Sequence, residues 1–213
     1  MPRLSEDARQ LRARLRRQMR QERRQLHPAE QRANSLAICD QLLATLWFRR
    51  ARRIGCYLAA DGEPDLRPLL PRLARRSEVW LPVIAPLSAH GLEFRRWCAA
   101  STLPHNRFGI GEPLPETPVA LWSLDLLLVP LVAFDHHGQR LGRGGGFYDR
   151  VLADLLRRPR RPLLVGIAHD FQECAQLPAA PWDRPLDCIV TNRQIVLSGF
   201  PPPPAADARR RCG

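Results

Sequence analysis

The run Asp135-His136-His137-Gly138-Gln139-Arg140-Leu141-Gly142-Arg143-Gly144-Gly145-Gly146-Phe147-Tyr148-Asp149-Arg150 gathers groups suited to holding a phosphate. Glycines let the backbone approach a ligand and turn several N–H groups toward one anion. Arg140 and Arg143 carry forked donors that match phosphate oxygens. A helix beginning after the glycines adds the partial positive charge of its N-terminus. Asp149, in the first turn of that helix, offers a carboxylate for Mg²⁺ over the same phosphates.

Two familiar phosphate motifs do not fit. No Gly-Lys-Ser/Thr triplet exists, and Phe147 stands where a GxGxxG pattern begun at Gly142 needs glycine. The plain alternative for a glycine run is a flexible loop. Three adjacent glycines, two arginines, an aromatic pair and an acid at one strand–helix junction favour phosphate binding instead.

The surrounding periodicity says what must position this loop. Leu11, Leu15 and Met19 recur every four residues, which predicts a helix over residues 7–25 with a narrow apolar stripe among arginines. Leu36, Cys39, Leu43 and Leu46 mark a second helix after Pro28. Residues 54–58 read as a buried strand ending in the turn Asp61-Gly62-Glu63-Pro64. A helix over 66–73 and a strand over 79–84 complete a βαβ unit, hence a parallel strand pair. Residues 92–97 read as a strand near the sheet edge, and 102–118 as a long loop of the kind that often serves function. The run 126–134 is apolar on both faces and reads as the central strand. A helix over 147–158 and strands over 163–168 and 188–191 follow. The expected fold is α/β, a three-layer arrangement with a mostly parallel sheet and helices on both faces. Residues 1–200 are expected to form a single domain. The proline- and arginine-rich residues 201–213 are read as a disordered tail.

The chain has 213 residues, 45% of them hydrophobic, enough for a sizeable core and too many for a disordered chain. The best apolar run, residues 124–134, is far short of the ~20 residues a membrane span needs. The arginine-rich start lacks an apolar segment for a secretory signal, so a cytoplasmic location is expected. Formal net charge is +12, and all 33 basic side chains are arginine. An anionic partner is one reading of that charge. A compositional bias toward surface arginine is the other, and it suits most of them individually. The six cysteines form no CxxC pair and several sit in apolar runs, as buried free thiols of a reducing compartment do.

The segment from Leu141 to Asp149 resembles the signature loop of the 5-formyltetrahydrofolate cyclo-ligases, also called methenyltetrahydrofolate synthetases. Its surroundings agree in order. Val129-Pro130-Leu131-Val132-Ala133-Phe134-Asp135 resembles the strand leading into the loop, and Gly166-Ile167-Ala168-His169-Asp170 the strand after the next helix. Trp182-Asp183, with Asp187-Cys188-Ile189-Val190-Thr191, resembles the closing segment. The likeness covers roughly residues 10–195. It implies an ATP- and Mg²⁺-dependent conversion of 5-formyltetrahydrofolate to 5,10-methenyltetrahydrofolate with release of ADP and phosphate. The formyl oxygen would be phosphorylated, and N10 would close the ring.

The resemblance also implies roles. Arg140, Leu141, Gly142, Arg143, Gly144, Gly145, Gly146, Phe147 and Tyr148 would wrap the ATP phosphates. Arg143 through Phe147 would also face the folate, and Arg143 and Tyr148 would be catalytic. Asp149 and Asp183 match magnesium carboxylates. Arg12 and Arg16 match an N-terminal basic pair that contacts ATP, with Arg12 in place of the usual lysine. Leu58 and Glu63 match folate contacts, and Phe108 an aromatic that stacks on the pterin. Some members carry lysine where Gly145 stands. For Glu63 the plain alternative is a helix N-terminal acid, and for most arginines of the first helix a solvated charged face. His136, His137 and His169 are given no part in the chemistry.

The partners expected are small molecules, with a monomeric protein and no membrane. Three rivals stand beside this reading. The charge would suit a nucleic-acid-binding protein, but no binding motif is present. Another ATP-dependent ligase or kinase could use the same fold. A homologue without activity could keep the same architecture.

Overall fold

Ser5 opens the first helix by accepting the Ala8 N–H at 3.2 Å, and Glu6 and Asp7 follow where the helix dipole favours acids. This is the start of a computed structural model that describes residues 4–106, 109–180 and 183–198. Helix α1 (Glu6–Gln25) is followed by α2 (Pro28–Ala44), which has proline in its first turn, and by the short α3 (Leu46–Arg50). Strand β1 (Arg53–Gly55) leads through a loop and a 3₁₀ turn into α4 (Leu70–Ala74), then β2 (Glu78–Ile84) and β3 (Leu92–Trp97). After a long loop come β4 (Leu126–Pro130), the small pair β5 (Ala133–Phe134) and β6 (Arg140–Leu141), and α5 (Phe147–Leu155). The chain then adds β7 (Leu163–Ile167), β8 (Cys188–Val190) and β9 (Ile195–Leu197).

The main sheet runs β3-β2-β1-β4-β7-β8-β9. Its five inner strands are parallel, and β3 and β9 close the two edges antiparallel. Alternation along β4 sorts the core. Leu126 and Leu128 pack with Ile38, Leu42, Phe48 and Leu73 from α2, α3 and α4. Leu127 and Val129 pack with Val151, Leu152 and Leu155 of α5 on the opposite face. This is the expected three-layer α/β arrangement with a mostly parallel sheet. Met19 of α1 joins a third cluster with Ala133, Leu141 and Leu177, so α1 lies across the β5–β6 pair.

Several boundaries differ from those read off the sequence. The run 126–134 is not one strand. Pro130 has no N–H for the ladder, and the chain turns so that Val132 donates to Leu141 O at 2.7 Å. The run 54–58 pairs only through Gly55, with Cys56 N–H reaching Trp80 O at 2.8 Å. Its apolarity reflects burial more than ladder length. Strand β9 and helix α3 carry too few residues for any periodicity to announce. The tail from 201 lies outside the described residues. Among those described, no helix is long and apolar enough to cross a membrane.

Candidate active site

Three connections converge at the carboxyl ends of the parallel strands: the loop after β1, the segment from β4 to α5, and the segment between β7 and β8. Open α/β sheets place ligands there. The β5–β6 turn is fixed by Asp135, whose buried carboxylate accepts the N–H groups of His137 at 3.0 Å, Gln139 at 3.1 Å and Leu177 at 3.0 Å. The glycine loop that follows runs into the N-terminus of α5. Gly146 ends it in the left-handed region at φ 68°, where other residues are strained. Arg150 pins the loop from outside. Its Nε donates to His90 O at 2.9 Å, and its guanidinium lies 5.2 Å from the centre of the Phe147 ring.

Helix α1 crosses over this loop and faces it with arginines. Arg16 Nε donates to Gly142 O at 2.9 Å. Arg12 grips Asp183 with both terminal nitrogens, its Nη2 lying 3.0 Å from Oδ1, and donates to Pro178 O at 2.8 Å. Arg140 is buried and pairs with Asp149. Burial pushes the pKa of Arg16 and Arg140 down, while Asp149 and Asp183 pull both back up. The two acids matched to magnesium thus both act on Arg16 and Arg140, with Asp183 paired to Arg12 and Asp149 to Arg140.

A second cluster adjoins the first. Glu63 is buried, with Oε2 accepting the Ala60 N–H at 3.1 Å. Its Oε1 has no hydrogen-bond partner among the described residues. It lies 3.9 Å from Arg23 Nη1 and 3.9 Å from Arg143 Nη1. Burial raises the Glu63 pKa despite those two cations. The Tyr148 hydroxyl is likewise buried and unpartnered among the described residues. Burial pushes its pKa up, with Glu63 adding to the shift and Arg140 opposing it. A reduced pterin offers several N–H groups, and an unspent buried carboxylate oxygen is a fitting acceptor for them.

The structure therefore brings together Arg12, Arg16, Arg140, Leu141, Gly142, Arg143, Gly144, Gly145, Gly146, Phe147, Tyr148, Asp149, Asp183 and Glu63. Leu58 is half-buried and faces the long loop, with a Cβ at Gly111 falling 3.5 Å from its Cδ1. Phe108 lies outside the described residues. Glu63 is not a helix N-terminal acid, since the next helical turn begins at Arg67. Nor is the arginine face of α1 all solvated. Arg12 and Arg23 are buried, because each finds a carboxylate and a carbonyl across the site.

Sequence reasoning missed the hub of this cluster, Asp61. Its carboxylate takes Arg20 Nε at 2.6 Å, Arg24 Nε at 2.5 Å and Arg23 Nη2 at 3.2 Å, with Arg143 Nη2 at 4.0 Å. Burial works to raise the Asp61 pKa, but the hydrogen bonds from Arg20 and Arg24 and the nearby charge hold it below the usual value. Seven arginines (12, 16, 20, 23, 24, 140 and 143) thus surround four carboxylates (61, 63, 149 and 183). The surplus positive charge suits anionic substrates.

Comparisons with known proteins point to one family. A profile of the 5-formyltetrahydrofolate cyclo-ligase family matches residues 8–192. The chain is 39% identical over 180 residues to the 5-formyltetrahydrofolate cyclo-ligase of Escherichia coli K12, covering 83% of this chain and 98% of that one. It is 37% identical over 171 residues to the enzyme of that name from Haemophilus influenzae, covering 79% and 88%. Among solved structures, it is similar to the 5,10-methenyltetrahydrofolate synthetase of Aquifex aeolicus. The TM-score is 0.78 at 30% identity, over 94% of this chain and 99% of that one. By profile, sequence and fold, the chain belongs to the 5-formyltetrahydrofolate cyclo-ligase family of enzymes.

Proposed function

We propose that the protein uses ATP and Mg²⁺ to convert 5-formyltetrahydrofolate to 5,10-methenyltetrahydrofolate. The observation that carries this reading is the junction of two sites at Arg143. On one side lies the arginine-lined glycine loop, and on the other the unpartnered Glu63 oxygen at 3.9 Å. A phosphate donor and an N–H-rich acceptor can meet across that one side chain.

The formyl oxygen attacks the γ-phosphorus and ADP departs. The lone pair of N10 then adds to the activated formyl carbon, N10 sheds its proton, and the C–O bond breaks to release phosphate. Positioning and charge stabilisation do most of the work in such transfers. Backbone N–H groups of the glycine loop, with Arg16, Arg140 and Arg143, hold phosphate oxygens. Glu63 orients the pterin, and Leu58 lies along its apolar side. Tyr148 donates its hydroxyl to the reacting group, a role its buried and unpartnered state supports.

Asp149 and Asp183 would hold the metal. Asp149 keeps about a quarter of its side chain (26%) exposed and, among the described residues, is paired only through Oδ1, so its donors fit. Asp183 Oδ2 also accepts the Ala180 N–H at 2.8 Å, so Asp183 would offer Oδ1 to the metal if Arg12 shifted to a phosphate. Among the described residues no three metal-ligating side chains converge. That suits an ion taking most of its oxygens from phosphates and water. When bound, Mg²⁺ would neutralise charge on the phosphates. Arg143→Ala and Asp149→Ala test the assignment in steady-state assays. Each should lower kcat/KM by roughly a hundredfold or more, as loss of a transition-state contact does. Unchanged rates in both would overturn it.

A further inference from the structure

His169 follows β7 and is fully buried, yet nothing in the reaction above uses it. Its Nε2 lies 3.1 Å from Gly62 O, and its Nδ1 lies 3.5 Å from the Asn34 side-chain nitrogen. A carbonyl at one nitrogen and an amide donor at the other select the neutral tautomer with its proton on Nε2. Burial and the Arg23 charge also disfavour the imidazolium. The ring stacks on Phe171 at 5.3 Å and 7°. Its backbone N–H donates to Gln172 Oε1 at 2.8 Å, and Gln172 Nε2 is tied to Leu131 O at 3.1 Å and Val132 O at 2.7 Å. The donor is therefore held from three sides.

What it holds is the turn carrying Asp61 and Glu63. Both Asp61 (φ 55°) and Gly62 (φ 74°) are left-handed, and a Cβ at Gly62 would fall 2.9 Å from Arg23 O. A turn in that region persists only when its surroundings fix it. The Gly62 carbonyl belongs to the peptide unit that joins it to Glu63, so rotation there swings the Glu63 carboxylate. The geometry assigns His169 the part of a positioning residue: by donating Nε2–H to Gly62 O it fixes the peptide plane that aims Glu63 Oε1 into the substrate site. This rests on the reading of Glu63 as the pterin acceptor.

The test separates hydrogen bond from packing. His169→Phe keeps the ring and its stacking but loses the donor. His169→Gln loses the ring but places an N–H₂ at similar reach. KM for 5-formyltetrahydrofolate should rise about tenfold in the Phe variant, the scale of one buried hydrogen bond. KM for ATP and kcat should stay within roughly twofold of wild type, and the Gln variant should recover most of the lost affinity. Equal defects in both variants, a Phe variant with wild-type KM, or an equal rise in KM for ATP would overturn the assignment. Nitrogen NMR of the wild-type imidazole stands apart from any variant's folding. A proton on Nε2 supports the assignment, and one on Nδ1 overturns it. A folded wild type that does not turn over the folate would sink both this and the functional reading. Normal turnover with the wrong variant pattern would sink this alone.

Discussion

Arg12 and Asp183 lie 171 residues apart in the chain and meet in a buried, two-pronged ion pair that ties α1 to the segment after β7. Removing one partner strands the other charge in the interior. Arg12→Ala and Asp183→Ala should each cost about 3 kcal/mol, as broken buried pairs do. The double variant should cost less than the sum of the two. Urea unfolding of the four proteins measures the coupling, and strict additivity would contradict the pairing.

Asp61 is the common partner of Arg20, Arg23 and Arg24, and Arg23 has no exposed side-chain surface. Asp61→Asn should therefore destabilise the fold by about 3 kcal/mol. Arg24→Ala, at a side chain 60% exposed, should cost under about 1 kcal/mol. Similar losses in the two variants would show that burial is not what sets the cost.

Glu63 joins a proposed folate contact to a stability penalty. Burial raises its pKa against the pull of Arg143 and Arg23. The folded protein thus holds that proton more tightly than the unfolded chain. Stability present below the unfolded pKa is lost as pH rises through the folded one. Glutamine cannot ionise, so Glu63→Gln should melt higher than wild type at pH 8. The gap should close in acid, below the ordinary carboxylate range. The same variant should bind the folate more weakly. A lower melting temperature at pH 8 would show that the arginines, not desolvation, dominate the site.

The glycine loop makes a positional prediction. Gly146 is left-handed and caps α5, so Gly146→Ala should cost about 1 kcal/mol in strain and weaken ATP binding. Gly145 is not left-handed, and an added Cβ would meet only the edge of the Phe147 ring at 3.0 Å. Gly145→Ala should therefore cost less folding stability than Gly146→Ala, a difference of about 1 kcal/mol readable by urea unfolding.

Much of the site was legible because its chemistry is local. The loop from Leu141 to Asp149 is contiguous, and its glycines, arginines and acid carry the proposal of phosphate binding without any fold. The parallel sheet was legible from apolar runs alternating with helical periodicity. Asp61 was not, because its meaning comes from four arginines on two elements that only the fold assembles. Arg23 looked like one more solvated arginine until α1 was laid against Leu131 O. His169 read as the end of a strand, since nothing in its own segment shows the Gly62 carbonyl waiting 3.1 Å away. The split of residues 126–134 depended on Pro130 and on a pair of two-residue strands below the reach of periodicity.

The most direct measurement is turnover itself. Purified protein is mixed with 5-formyltetrahydrofolate, ATP and Mg²⁺, and the methenyl product is followed by its absorbance. The account predicts product that appears only when nucleotide and metal are both present, with ADP and phosphate formed in step. A folded protein that makes no methenyl product, or makes it without ATP, would contradict it.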